Sequence, residues 1–171
     1  LQGDDLLVGD DGVELVTLYR RIGGIWTQIQ QLAPPTAVQG SRFGESLAID
    51  GNLIAIGRPY YPTFQSRKGQ VLLYRRANVG APFVFEFSHT MTGGGDFPEM
   101  GGSISGIAID GNRVLVGAPN YRHNYNASLL ATGAVVSLEH NGSHWIPPLL
   151  LPSQFNDIGW FGMAIALDGS R

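Results

Sequence analysis

The chain has 171 residues, 43% of them apolar and 15% charged, which suits a sizeable core and is unlike a disordered or collagen-like sequence. The absence of cysteine excludes disulfide scaffolds, thiol catalysis and cysteine-rich zinc sites. With 11 basic against 14 acidic residues, a formal charge of -3, there is no footprint for nucleic acid or an anionic membrane, and the longest apolar run, Ile146 to Leu151, is far short of the roughly 20 residues that cross a bilayer.

Many short strands joined by turns are expected from 24 glycines and 10 prolines with no long stretch of helical period. The first strand-like run, Leu6-Leu7-Val8-Gly9, stands where Ala55-Ile56-Gly57 and Leu115-Val116-Gly117 stand later, so the chain opens inside a repeated unit. A Tyr19 strand and a Trp26 strand follow, joined at Gly23-Gly24. Residues 43 to 59 read FGESLAIDGNLIAIGRP and residues 103 to 119 read SISGIAIDGNRVLVGAP, aligning without a gap. In the first of these full copies the strands are expected at about Glu45 to Ile49, Leu53 to Gly57, Gln70 to Arg75 and Phe83 to His89. Asp50-Gly51 and Asp110-Gly111 have the Asp-Gly signature of tight hairpin turns, and Asn141-Gly142 predicts a type I′ turn between the third and fourth strands of the next copy. A further copy starts at Phe161, reading FGMAIALDGSR.

Four strands per unit make a small antiparallel sheet that cannot cover both faces alone, so successive units must stack. The expected fold is an all-β propeller, with a partial blade at 1–42 (strands two to four), full blades at 43–102 and 103–160, and the first strand of a following blade at 161–171. About three blades are too few to close a ring of four to eight. The chain is therefore expected to be a segment of a longer polypeptide, with the remaining blades of that chain as its first partners.

Phe43-Gly44 opening a unit, Gly57-Arg58-Pro59 and Gly117-Ala118-Pro119 closing its second strand, and the strand Gly69 to Tyr74 resemble the FG-GAP repeat. That family builds the propeller head of integrin α chains and many secreted bacterial and protist proteins. There are departures: Ser103-Ile104 stands where Phe-Gly is expected, and Arg58 replaces the alanine of Gly-Ala-Pro. Calcium-binding blades of this family carry an Asp-x-Asp-x-Asp-Gly type of loop. Asp50-Gly51-Asn52 and Asp110-Gly111-Asn112 are too short and supply one carboxylate each, against the six to eight oxygens calcium takes, so no metal and no cofactor is expected in these blades. Asp4-Asp5 and Asp10-Asp11 could enter a site only with an upstream loop.

No catalytic constellation emerges. Residues 102 to 106 lack Gly-x-Ser-x-Gly spacing, Gly93 to Asp96 lacks the lysine of a phosphate loop, and both read as linkers between blades. His140 and His144 flank a turn, a weak two-ligand arrangement that fits solvated polar residues better. Arg20-Arg21 and Arg75-Arg76 end the third strand in two copies and read as exposed strand ends. Asn126 and Asn141 head N-glycosylation patterns in expected turns.

The loops joining the second strand to the third are long and share tyrosine with arginine. Their candidate binding residues are Tyr60, Tyr61, Phe64, Arg67, Tyr121, Arg122 and Tyr125. Strand alternation puts these 2–3 loops on one face with the 4–1 loops that lead to the next unit. The integrin resemblance implies a face that receives ligands and partner subunits; covering the rims of neighbouring blades is the alternative for the same rings. The expected function is a non-catalytic, extracellular or cell-surface module for protein interaction, adhesion or structural assembly, with a protein partner or a glycan on that face and no membrane insertion. The alternatives are a glycan-binding propeller, to which Asp96, Glu99 and Asp157 would contribute; an accessory to an enzyme whose active site lies elsewhere; and a subunit whose blades another chain completes.

Overall fold

The computed structural model describes residues 2–63, 68–91, 106–125, 128–154 and 159–169, and of 122–131 only the backbone. Among the described residues there are strands and turns and no α-helix. The first sheet runs β1 (Asp5–Asp10), β2 (Leu15–Ile22), β3 (Ile25–Leu32) in chain order, and the second runs β4 (Ser46–Asp50), β5 (Leu53–Arg58), β6 (Gln70–Arg75), β7 (Val84–Thr90). In the third, β8 (Ile107–Asp110) and β9 (Arg113–Ala118) pair with β12 (Ala134–Glu139) and β13 (Leu149–Pro152). A hairpin of β10 (Arg122–Tyr125) and β11 (Ser128–Ala131) is inserted between β9 and β12. Every pairing within these sheets is antiparallel. The segment 120–126, expected as an open loop, is thus partly a second-order hairpin.

The strands follow the expected runs because side chains on them alternate between two apolar faces. On β5, Ile54 and Ile56 join Leu72 and Tyr74 of β6 in one cluster with Val16, Leu18, Leu32 and Phe43. Leu53 and Ala55, with Val71 and Leu73, point the other way and pack with Val114, Val116, Val136 and Leu138. The second sheet is therefore sandwiched between the first and the third, and β5 is buried along its whole length. Period-two alternation with both faces apolar is what a central layer demands.

Corresponding positions make corresponding contacts at both junctions. Gln30 on β3 exchanges hydrogen bonds with the backbone of Phe83, and Phe87 on β7 stacks on Trp145 at 5.7 Å. A β-bulge interrupts the third and fourth strands at Leu18/Tyr19 and again at Leu73/Tyr74. The recurring glycines are explained by close approach: a Cβ on Gly9 would collide with the carbonyl of Gly44, and one on Gly117 with the carbonyl of Gly162. Glycine closing one second strand therefore faces glycine of the next Phe-Gly, which is why the two motifs occur together.

The turns depart from the simple expectation in two ways. Asp50 pairs with Leu53 and Asp110 with Arg113, so the two-residue loops are Gly51-Asn52 and Gly111-Asn112, each led by a glycine with positive φ. Asp50 is thereby left to reach out: its carboxylate accepts from Gln2 Nε2 and, at 2.6 Å, from the Gly111 amide of the next sheet. Asn141-Gly142 is not a type I′ turn. Asn141 Oδ1 accepts the amides of Ser143 and His144, each at 3.0 Å, an Asx arrangement that spans four residues between the bridged His140 and Trp145. Gly23-Gly24, with φ of 59° and 87°, has the positive dihedrals expected of it.

Candidate functional site

The connection from β3 to β4 (residues 33–45) and the start of the connection from β5 to β6 (59–63) meet on one face. The Tyr60 amide donates to the Ser41 carbonyl at 3.2 Å, and Arg58 Nη1 donates to the Thr36 carbonyl at 2.9 Å. Tyr74 fastens the same connection from below, its hydroxyl donating to the Ala33 carbonyl at 2.8 Å. Burial pushes the Tyr74 phenol well above its ordinary range, so it remains a neutral donor.

Each tyrosine of the 2–3 loop carries an arginine. Arg42 lies over the Tyr60 ring at 5.1 Å and ion-pairs with Glu45 and Asp11 at 3.4 and 3.7 Å. Arg58 lies against the Tyr61 ring at 4.0 Å and is only 1% exposed. Beside Arg58 is a cavity of about 290 Å³, lined also by Pro35, Thr36, Tyr61, Gln70, Phe85 and Ser88. Burial lowers the basicity of Arg58, while the neighbouring Tyr61, Glu14 and Tyr74 act in the opposite sense. Glu45 is shifted upward by burial, against the pull of Arg42. Next to this cavity, a groove of about 420 Å³ runs between Val13, Leu15, Ala33 and Ala37.

The remaining candidate residues are dispersed. Tyr121 is 5% exposed in the core between the second and third sheets, its phenol shifted upward by burial, so its ring packs inward instead of facing a partner. The Tyr121 amide turns back to the Ala118 carbonyl at 2.9 Å, which is what carries the ring inside. Arg122 and Tyr125 lie on β10. Phe64, Arg67, Asn126, Asp96, Glu99 and Asp157 fall outside the described residues, as do the glycine-rich segments 93–96 and 102–105. Asn141 is exposed on its Asx turn. His140 and His144 do not converge: His140 Nδ1 accepts the Gly142 amide, and His144 Nε2 faces Asn141 Nδ2. Among the described residues there is no group of three metal-ligating side chains.

The Arg75-Arg76 pair is not an exposed strand end: Arg76 is 4% exposed and donates to Asp5 at 2.8 Å, to the Gly51 carbonyl and to Asn52. Arg20 holds the same carboxylate through two bonds of 2.7 and 3.0 Å. Burial works to raise the Asp5 carboxyl, but these arginines overcome it and hold it below its ordinary value. Asp5 is thus committed to two guanidinium partners in this structure.

The stretch that builds the loop face, from β3 through β6, coincides with the family model described as FG-GAP repeat, which matches residues 26–74. These residues are similar to an FG-GAP repeat. No curated protein matches the chain. Within the matched residues, Phe43 is fully buried and meets Tyr74 edge-to-face at 6.4 Å, and Gly44 approaches Gly9 of the preceding sheet. Arg58 holds the place where the next unit has Ala118, also fully buried. A small apolar side chain is thus exchanged for a cation at a position the fold keeps dry. Sequence reasoning noted that exchange but gave it no role; the small apolar Ala118 at the aligned position was the signal available.

Proposed function

We propose that this chain is a segment of an extracellular, non-catalytic FG-GAP propeller that binds a protein partner through the face where the 4–1 and 2–3 loops meet. The FG-GAP repeat points to a propeller-type interaction module. The carrying observation is the joining of the two loops, Tyr60 to Ser41 and Arg58 to Thr36, into one surface bearing arginine-aromatic pairs. Tyrosine and arginine are the residue types that dominate binding hot spots.

Radial stacking is supported by the way the first and second strands of successive units converge: β1, a second strand, approaches β4, and β4 and β5 approach β8. The stack has apolar surface left for another layer. Val8 and Ile29 are exposed on the first sheet, and Phe161 and Met163 on the segment after the third. Loops at one rim, held by a rigid stack, are where a repeat protein of this kind presents binding residues.

A cell-attachment assay on immobilised chain tests the reading. Attachment is expected, and should be lost after protease treatment of the cells, survive glycosidase treatment, and fall severalfold with Tyr60→Ala or Arg42→Ala at unchanged melting temperature. Loss on glycosidase treatment instead would establish the glycan reading, and attachment indifferent to both substitutions would remove the loop face from consideration.

A further inference from the structure

Each of the three sheets ends on a last strand that pairs on one side only: β3, β7 and β13. Backbone groups on the free side of such a strand are ready to bond another strand, and proteins that stay apart shorten the edge, place proline on it or charge it. Two of these edges are treated in that way. β13 is four residues long, follows Pro147-Pro148 and ends on Pro152. In β7 the extra residue of the bulge is Glu86, held by Arg75 at 2.8 Å.

β3 has the bulge alone, and there the extra residue is Ile29. The strand is eight residues long, reads Ile-Trp-Thr-Gln-Ile-Gln-Gln-Leu, and contains neither charge nor proline. The neutral stretch is wider than the strand, since nothing between Arg21 and Arg42 carries a charge. Ile25, Trp26 and Ile29 are 71%, 40% and 44% exposed. Exposed apolar residues on a neutral edge of high β-propensity are the pattern that recruits a further strand. Stacking leaves this edge open. β1 and β4 converge on one side of the stack and β3 lies on the other, so a further layer covers the face of the first sheet and not the free side of β3.

We propose that β3 is a pairing edge for a second copy of this chain, joined antiparallel to β3 of that copy about a two-fold axis, so that the two three-stranded sheets continue as one. An edge without charge gives a charged peptide no ion pair, whereas an identical strand meets it with no like-charge repulsion. Gln28 and Gln31 are exposed, and each amide has both donor and acceptor, so it can bond its own counterpart. Two-fold symmetry makes the meeting strands antiparallel, as every pairing within the sheets already is. A joint of this kind closes at two copies, because each edge is used up by the other. The dimer would present two loop faces, a consequence that rests on the function proposed above; the pairing does not, because Tyr60 and Arg42 lie off β3.

Sedimentation equilibrium of the full chain over a range of concentrations, with backbone amide hydrogen exchange alongside, tests the proposal. The mass should rise from that of one chain to that of two and no further. Ile22 and Ile25 close a two-residue turn, which puts the Trp26 and Gln28 amides on the free side, and their exchange should slow as the dimer forms. Gln28→Lys combined with Gln31→Lys charges the edge and should weaken the dimer at least about tenfold, or 1.4 kcal/mol, at unchanged melting temperature. Val84→Lys, at the place on β7 that corresponds to Thr27, should leave the dimer intact. A chain that stays monomeric, a dimer indifferent to the two lysines, a dimer lost equally with Val84→Lys, or assembly beyond two copies would each overturn the pairing. A chain that dimerises as described but whose cell attachment is indifferent to Tyr60 and Arg42 would keep the β3 joint and reject only the loop face.

Discussion

Arg76 Nη1 donates to Asp5 Oδ2 at 2.8 Å, joining residues 71 positions apart on neighbouring sheets. The same guanidinium lies over the Phe83 ring at 4.6 Å and caps the Gly51 carbonyl, so one side chain ties together the first strand of one sheet and a turn and a ring of the next. Breaking a buried charge pair from one side leaves the other charge stranded. Asp5→Ala strands two guanidinium groups and is expected to destabilise by about 3–5 kcal/mol in urea unfolding, whereas replacing both Asp5 and Arg76 by apolar residues should cost less than the two single changes added together. Simple additivity would show that the two side chains do not act as a unit.

Acid should destabilise the chain through two groups, His89 first and Asp5 at lower pH. Burial holds the His89 imidazole below its ordinary value, so the unfolded chain takes up a proton more readily and stability falls as pH drops below about 6.5, until the folded-state pKa is passed. Asp5, held below its ordinary value in the fold, contributes stability that is present above about 3.9 and lost as pH falls through its folded value. His89→Gln should flatten the upper window and leave the lower one. A stability profile unchanged by that substitution would assign the upper window elsewhere.

The glycine contacts between layers predict a sharp positional contrast. Gly117→Ala drives a methyl group into the Gly162 carbonyl, and backbone cannot move aside as a side chain end can; a loss of about 1–3 kcal/mol is expected in thermal unfolding. Gly12→Ala, whose added carbon meets only the Asp10 carboxylate at 3.4 Å, should stay within about 0.5 kcal/mol. Similar effects at both positions would indicate that the approach of Gly162 to Gly117 does not constrain the stack.

Asn141 is exposed, and its Oδ1 is occupied by the amides of Ser143 and His144, which holds the acceptor side chain in a fixed pose on a turn. Expressed through a eukaryotic secretory pathway, the chain should carry a glycan at Asn141 that is removed by Asn141→Gln or Ser143→Ala. Intact mass before and after enzymatic deglycosylation reads the outcome directly.

The parts of the fold legible in sequence were those set by local chemistry and period. Runs rich in β-branched and leucine residues located β5 and β6, and paired glycines at 23 and 24 located a turn that needs two positive φ values. Contacts made by residues far apart in sequence were not legible. Arg76 looked like a solvated strand end because its partner lies on another sheet, and Tyr121 looked like a loop residue because a single backbone hydrogen bond to Ala118 turns it inward. The Asx turn at Asn141 was mistaken for a hairpin turn since Asn-Gly serves both, and only the side-chain bonds decide between them. The joining of the two loops at the candidate site was expected from strand direction, whereas the burial of Arg58 depends on side-chain packing that spacing does not encode.

The pairing of Asp50 with the Gly111 amide bears on how such an array can lengthen. The acceptor is supplied by the Asp-Gly of one unit and the donor by the same dipeptide of the next, so each unit carries both halves of its joint. A gene segment copied in tandem would deliver a newcomer already equipped to be seated on its neighbour, with no compensating change needed on either side. Substitutions that individualise one copy, such as Arg58, can then accumulate on the rim while the joints stay common property.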